Sequence, residues 1–354
     1  MAILKQKIIP VKNKNNAGII GLDHGWQQSG DHLITTNATL LKWGWKIKPI
    51  VTYQLNHRIE YHTEEGIDEV ELDMSLRTLR YELKGVKSLK LMNIITGVQG
   101  ANTTATNGEE LEHTFLPNAD QTEIGAYLIT SLDRGKFGLK AATRGDMRNI
   151  NWEEKSKSFG LGAGSFGINW NVSQNTEVLA IASLSKRAPS IAELSADGLH
   201  HAAFRYEVGN ENLVAETSKN IELNIRRNSE KNTVEFNVFR NQIDDFIHYR
   251  AEEGVFIEGY QKYNYASTNA LLQGWELGIN HIDISKGLNS SAGISYVEGL
   301  DLDADTTLPF IPPLTLNASL IYENDEVLGL NDFYTNLTYT QTSSFSRFSK
   351  NFVS

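Results

Sequence analysis

Two histidines stand side by side, His200-His201, in the longest stretch of the chain that lacks a clear periodicity. A neutral imidazole is a common ligand for zinc, copper, nickel and iron. Asp197, Glu207 and Glu211 lie in the same stretch. Imidazole and carboxylate together suit a borderline ion such as zinc. Adjacent side chains on a strand would point to opposite faces, a limit that a loop relaxes. A second cluster runs from His62 through Glu64, Glu65, Asp68 and Glu69 to Glu71, with one histidine and five carboxylates in 10 residues. Carboxylates alone favour hard cations, and a solvated acidic loop accounts for this segment better than a metal site. His113 beside Glu109, Glu110 and Glu112 is a weaker version of the same pattern.

Other chemistry finds little support. The chain has no cysteine, which excludes disulfides and thiolate chemistry. There is no Gly-x-Ser-x-Gly and no His-Glu-x-x-His, so no catalytic residue is assigned. The formal net charge of −10 argues against nucleic acid as a partner. Asp244-Asp245 reads as a solvated strand end.

The elements that must carry the histidines have a period of two. In Ser218–Arg226, Ile221, Leu223 and Ile225 alternate with Asn220, Glu222 and Asn224. Thr233–Val238, Lys136–Asp146 and Gln273–Asn280 follow the same rule. Such runs are strands with one apolar and one polar face. Tyr265–Ile284 has room for a strand of 20 residues, against about 5–6 in an ordinary sheet.

Connections alternate in length. Short ones fall near Trp45–Lys48, Lys84–Ser88, Asp133–Gly135, Ser173–Asn175, Ser229–Lys231, Ser285–Gly287 and Asn324–Leu330. Long ones fall near Tyr61–Glu71, Ala101–Gln121, Asp146–Lys157, Arg187–Glu216, His248–Asn264 and Gly299–Pro312. Short turns on one side and long loops on the other predict an all-β, antiparallel up-and-down transmembrane β-barrel of about 14–16 strands. Trp43, Trp45, Tyr249, Tyr260, Tyr263 and Tyr265 lie near strand ends, where an aromatic girdle is expected. No domain boundary interrupts residues 1–354, which read as a single barrel segment. The rival architectures are a soluble β-sandwich, a passive porin or fatty-acid channel, and a secreted carbohydrate-binding β-protein.

The run Lys186-Arg187-Ala188-Pro189-Ser190-Ile191-Ala192-Glu193-Leu194, followed by Tyr206-Glu207-Val208-Gly209-Asn210-Glu211-Asn212-Leu213-Val214-Ala215-Glu216, resembles a signature of TonB-dependent outer-membrane receptors. Leu72–Thr78, Ile95–Gly100, Phe115–Ala119, Phe239–Ile247 and Leu308–Pro313 look like successive barrel segments of the same family, especially its importers of zinc and metal complexes in Bacteroidetes-type bacteria. The resemblance implies an outer-membrane receptor that imports a metal ion or metal complex, of zinc, siderophore or haem type. It has no resident cofactor and is not an enzyme. TonB–ExbB–ExbD would drive it through a plug domain, and its barrel would sit in outer-membrane lipid. The family barrel has roughly 22 strands. Against it, this chain is expected to lack the plug, the signal peptide and about four strands at each end of the barrel, and to form an open, curved sheet or a strained closure with exposed edge groups. Arg187, Pro189, Glu193, Gly198, Gly209, Asn210 and Glu216 belong to the signature and are expected to shape the barrel rim.

Overall fold

The computed structural model describes residues 3–7, 26–64, 67–109, 114–200, 203–285 and 287–344. Its strands are β1 (Ile3–Lys7), β2 (Trp26–Asn37), β3 (Leu40–Lys42), β4 (Trp45–Glu64), β5 (Ile67–Ser88), β6 (Met92–Asn107), β7 (Ala119–Arg134), β8 (Phe137–Trp152), β9 (Lys155–Ser173) and β10 (Thr176–Arg187). A helix α1 (Ile191–Ser195) follows, then β11 (Asp197–His200), β12 (Arg205–Val208), β13 (Glu216–Asn228), β14 (Asn232–Ile257), β15 (Tyr260–Ser285) and β16 (Leu288–Asp301). The last strands are β17 (Thr306–Thr307), β18 (Thr315–Val327) and β19 (Leu330–Thr342). The long strands are β2, β4 to β10, β13 to β16, β18 and β19, each of 12–26 residues, so fourteen in all. That falls at the lower end of the about 14–16 strands that the turn spacing implies.

Each long strand pairs antiparallel with its neighbours in sequence, in one continuous meander from β2 to β19. The one parallel ladder among the described residues joins β12 to β15. No described ladder joins β19 to β1 or β2, so the described sheet is open.

Register follows from chemistry. A slip of one residue would turn every side chain to the other face. The observed ladders instead keep apolar residues opposite apolar ones, as at Leu83↔Val98, Ile124↔Met147, Leu139↔Ile168, Ile225↔Phe236, Val238↔Trp275 and Leu320↔Leu337. This face is bare: Ile221 is 66% exposed and Leu337 69%. An apolar surface running across a whole sheet is far larger than a water-soluble protein tolerates, and it suits lipid.

The opposite face is polar and internally bonded. Tyr127 donates to Glu82 at 2.6 Å, Arg148 to Glu123 at 2.6 Å, and Arg144 to Asp146 at 2.6 Å through Nε. In a barrel this face lines the lumen.

Three hairpins close through pairs of residues with positive φ: Trp43-Gly44 (53° and 76°), Glu258-Gly259 (52° and 85°) and Leu328-Gly329 (53° and 79°). Such turns match the twist of the flanking strands.

The structure moves several expected connections. The turn sought at Trp45–Lys48 sits at Trp43-Gly44, and the one at Lys84–Ser88 follows Ser88. Tyr61–Glu71, Asp146–Lys157 and His248–Asn264 are hairpin arms rather than loops, with ladders reaching Glu64↔Ile67, Trp152↔Lys155 and Ile257↔Tyr260. Beyond the lipid both faces of a hairpin meet water or loops. The alternation fades there while the backbone ladder continues.

The two faces are expected to differ in tolerance. Leu223→Arg, in the apolar band, should cost about 2–4 kcal/mol of barrel stability. Glu222→Ala, one residue away on the polar face, should change it by less than about 0.5 kcal/mol. Guanidinium titration of the protein in lipid bilayers measures both.

Candidate functional site

Arg187 and Glu216 stand opposite each other on β10 and β13. Arg187 Nε donates to Glu216 Oε2 at 2.5 Å, while Nη1 and Nη2 reach Glu193 at 2.9 and 3.1 Å. The planar guanidinium can hold two carboxylates at once because its donors form a fixed fork. Glu216 Oε1 also accepts from the backbone N–H of Ile247 at 2.7 Å, which ties β13 to β14 above their last paired residues.

Glu193 belongs to α1. Ser190 caps this helix, accepting from Glu193 N at 3.2 Å, and Glu193 Oε2 accepts from Ser190 N at 2.7 Å. This is a reciprocal capping box. Pro189, fully buried, ends β10 at the point where the chain turns over the sheet.

Gly209 closes the loop. Its N–H donates to Ala196 O at 2.6 Å, and Asn210 N–H donates to Glu193 O at 2.8 Å. A Cβ on Gly209 would collide with the backbone nitrogens of Ser195 and Ala196, so only glycine fits. Gly198 lies flat against Phe115, where a Cβ would come within 3.2 Å of its Cα.

The loop carries a hydrophobic core of its own. Ala188, Leu194, Ala196 and Leu213 are each 2% exposed. They pack on Ala119, Ile150, Trp152 and Phe159. By register, Ile150 and Phe159 share the polar face with Arg148 and Glu123. The loop therefore folds over the lumen side of the sheet, at the end where strands are joined by the long connections.

At the centre of this packing is Glu207, 1% exposed. Its Oε1 accepts from Arg205 Nε at 2.7 Å and lies 2.8 Å from His200 Nδ1. Tyr265 Oη donates to its Oε2 at 3.1 Å and lies 2.7 Å from Tyr249 Oη. Arg205 stacks over the Tyr249 ring, 3.9 Å from its centroid. Burial pushes the Glu207 carboxyl upward, but the hydrogen bonds from His200 and Arg205 outweigh it and hold the group below its ordinary value. Burial, with Tyr249 and Glu207 adjoining, pushes the Tyr265 phenol well above its usual range.

The structure sets His200 against Glu207 and makes Glu207 a structural counter-ion to Arg205. His200 also lies against Phe115, with ring centroids 5.2 Å apart. Asp197 accepts from Tyr206 Oη at 2.9 Å, and Glu211 pairs with Lys155 at 3.0 Å, so both acids are engaged elsewhere. His201, Glu65 and His113 lie outside the described residues, and His62, Glu64 and Asp68 are described in their backbone alone. Among the described residues no group of three or more His, Asp or Glu is placed to hold a metal ion.

Tyr249 and Tyr265 do not form the expected girdle. Their hydroxyls meet each other, and that of Tyr265 also reaches the buried Glu207 carboxylate. Phe137 and Trp170, paired across β8 and β9 beside a short turn, are exposed and stacked with centroids 6.1 Å apart, as a girdle requires. Arg205, Tyr249 and Tyr265 were not singled out as site residues. The sequence signal for Arg205 was its spacing of two from Glu207, which puts both on one side of a strand.

A family model described as "TonB dependent receptor-like, beta-barrel" matches residues 15–352. The chain belongs to that family. Among solved structures it resembles the copper transporter OprC at 15% identity and a TM-score of 0.76, over 93% of this chain and 54% of that one. The siderophore receptor PirA from Acinetobacter baumannii is similar at 18% identity and a TM-score of 0.66, over 91% and 52%. The FrpB iron transporter from Neisseria meningitidis (F3-3 variant) is similar at 16% and 0.64, over 85% and 49%. The chain therefore spans about half the length of these neighbours. At such identities the likeness shows a shared barrel fold. The family and these neighbours are outer-membrane proteins.

Two outcomes test the loop as a rigid unit. Glu207→Ala leaves Arg205 without its buried counter-ion and is expected to cost about 3–5 kcal/mol, while Glu207→Gln, which keeps the shape, should cost less. Native-state hydrogen exchange across Arg187–Glu216 reads both. Because the folded carboxyl is depressed, its contribution is complete above the ordinary carboxylate range, about pH 4.3. It is lost as pH falls through the lower folded value. Protection of the loop should hold down to that range and fall below it.

Proposed function

We propose that this chain is the barrel portion of an outer-membrane import receptor for a metal ion or metal complex, in the zinc and metal-complex branch of its family. The carrying observation is the family match over residues 15–352. The names of the neighbours, a copper transporter, an iron transporter and a siderophore receptor, support a metal-related cargo. A passive channel would have no use for the Arg187–Glu216 assembly, and a soluble carbohydrate-binding protein would not carry a bare apolar face around its sheet.

Import against a gradient needs energy that binding alone does not supply. We assign that role to TonB with ExbB and ExbD, acting through a plug in the lumen. The polar face, with Arg144, Arg148, Glu82 and Glu123, offers such a plug a hydrated, charged wall.

His200 is the residue through which we propose contact with the cargo. Its Nδ1 is held by buried Glu207, which fixes the ring and leaves Nε2 without a hydrogen bond among the described residues. A carboxylate behind an imidazole is the arrangement that orients metal-binding histidines. A single ordered imidazole suits a metal complex that brings ligands of its own. Zinc would also require His201 and the His62, Glu64, Glu65 and Asp68 segment.

Uptake of labelled zinc and of labelled ferric complexes by cells producing the receptor tests this reading. Uptake should collapse when TonB is deleted, and His200→Ala should lower it by about tenfold, the equivalent of one lost ligand contact of about 1.4 kcal/mol. Uptake that persists without TonB would overturn the energised-import reading.

A further inference from the structure

The chain carries a formal net charge of −10, yet one sector of its short-turn rim is strongly basic. Residues 40–48, 84–92 and 131–140 are the neighbouring hairpin ends β3–β4, β5–β6 and β7–β8. Together they hold nine Lys and Arg and one carboxylate, Asp133. The β18–β19 end, residues 323–332, is the reverse, with four carboxylates and no cation.

Register divides the basic sector by face. Lys42 pairs with Trp45, Lys87 with Ile94 and Arg134 with Phe137, all on the side that carries Leu83, Val98 and Leu139. Lys90 and Lys136 are exposed in the turns between. Alternation turns Asp133 and the other four cations to the lumen side. The lipid-facing side of this sector and its turns thus hold five cations and no carboxylate. Among the described residues none of the five forms an ion pair. Two lie over rings instead: Lys42 Nζ is 4.3 Å from the Trp43 centroid and Lys87 Nζ 5.5 Å from that of Trp45. Exposed apolar groups stand among them, with Trp43 80% exposed and Leu91 52%.

We propose that this sector binds anionic phospholipids of the periplasmic leaflet, with their phosphates on Lys42, Lys87 and Arg134. These three sit on alternate strands, about 10 Å apart, so each meets its own headgroup. Short turns face the periplasm in such barrels, which selects the leaflet. Unopposed positive charge selects an anionic headgroup over a zwitterionic one. Cations interleaved with rings and leucines at the edge of the apolar band select a lipid over a soluble acidic protein. Long cationic side chains lay their stems on apolar surface there and keep their heads at the interface, beside the indoles. The inference rests on the membrane placement that underlies the proposed function.

Native mass spectrometry of protein purified from outer membranes in mild detergent tests it, with phosphatidylglycerol and phosphatidylethanolamine of the same chains as probes. The parent should favour phosphatidylglycerol by about tenfold. Lys42→Gln with Lys87→Gln and Arg134→Gln should bring the ratio near one. Lys46→Gln with Lys48→Gln and Lys84→Gln removes the same charge from the lumen side and should leave the preference in place. Equal binding of the two lipids by the parent, a ratio unchanged in the first triple variant, or an equal loss in both variants would overturn the proposal. Displacement of phosphatidylglycerol by soluble polyglutamate would also overturn it, in favour of an acidic protein partner. A protein that fails to fractionate with the outer membrane would instead overturn the placement on which it rests.

Discussion

Every backbone N–H and C=O that crosses hydrocarbon must find its partner in the protein, because lipid offers none. From that constraint follow the long strands, the unbroken neighbour-to-neighbour ladders and the antiparallel order. It also fixes which sequences are admissible. Once the ladder is complete, one face must be apolar and the other is free to be charged. β13 shows the result within a few residues, with Ile221, Leu223 and Ile225 turned to lipid and Asn220, Glu222 and Asn224 turned away.

The loop between β10 and β13 answers a different requirement. Outside the membrane the sheet no longer needs an apolar exterior, and a long connection would lose order unless something tied it down. Here three devices act together. Arg187 clamps the two strand ends and the helix through Glu216 and Glu193. Gly209 allows the return segment to lie against the helix backbone. Glu207 gathers Arg205, His200 and Tyr265 in a buried polar centre. A buried carboxylate is costly on its own, and it persists because each of its neighbours donates to it. For the function proposed above, the consequence would be an imidazole whose orientation Glu207 fixes.

The fold was legible because the period of two is written directly in the residues. The alternation specifies about 14–16 long strands, of which the structure has fourteen, and the ends of the Arg187–Glu216 connection. The hairpin arms beyond the membrane could not. At Asp146–Lys157 and His248–Asn264 the residues lose their alternation once neither face meets lipid, although hydrogen bonding continues to Trp152↔Lys155 and Ile257↔Tyr260. The site was half legible. His200 and Glu207 stood out by type, but burial of Glu207 depends on Tyr249 and Tyr265, more than 40 residues away and joined to it by a parallel ladder that no local pattern announces. Aromatic residues at strand ends read equally well as girdle or as loop core, and tertiary packing decides between them.

The central claim is that this sheet separates lipid from an aqueous lumen with a period of two residues. Spin labels placed singly along Ser218–Arg226, in protein reconstituted into bilayers, test it most directly. Labels at 221, 223 and 225 should collide with oxygen dissolved in lipid, and labels at 220, 222 and 224 with a water-soluble nickel chelate, in strict alternation. Equal access to both reagents along the segment, or a period near 3.6, would contradict the account.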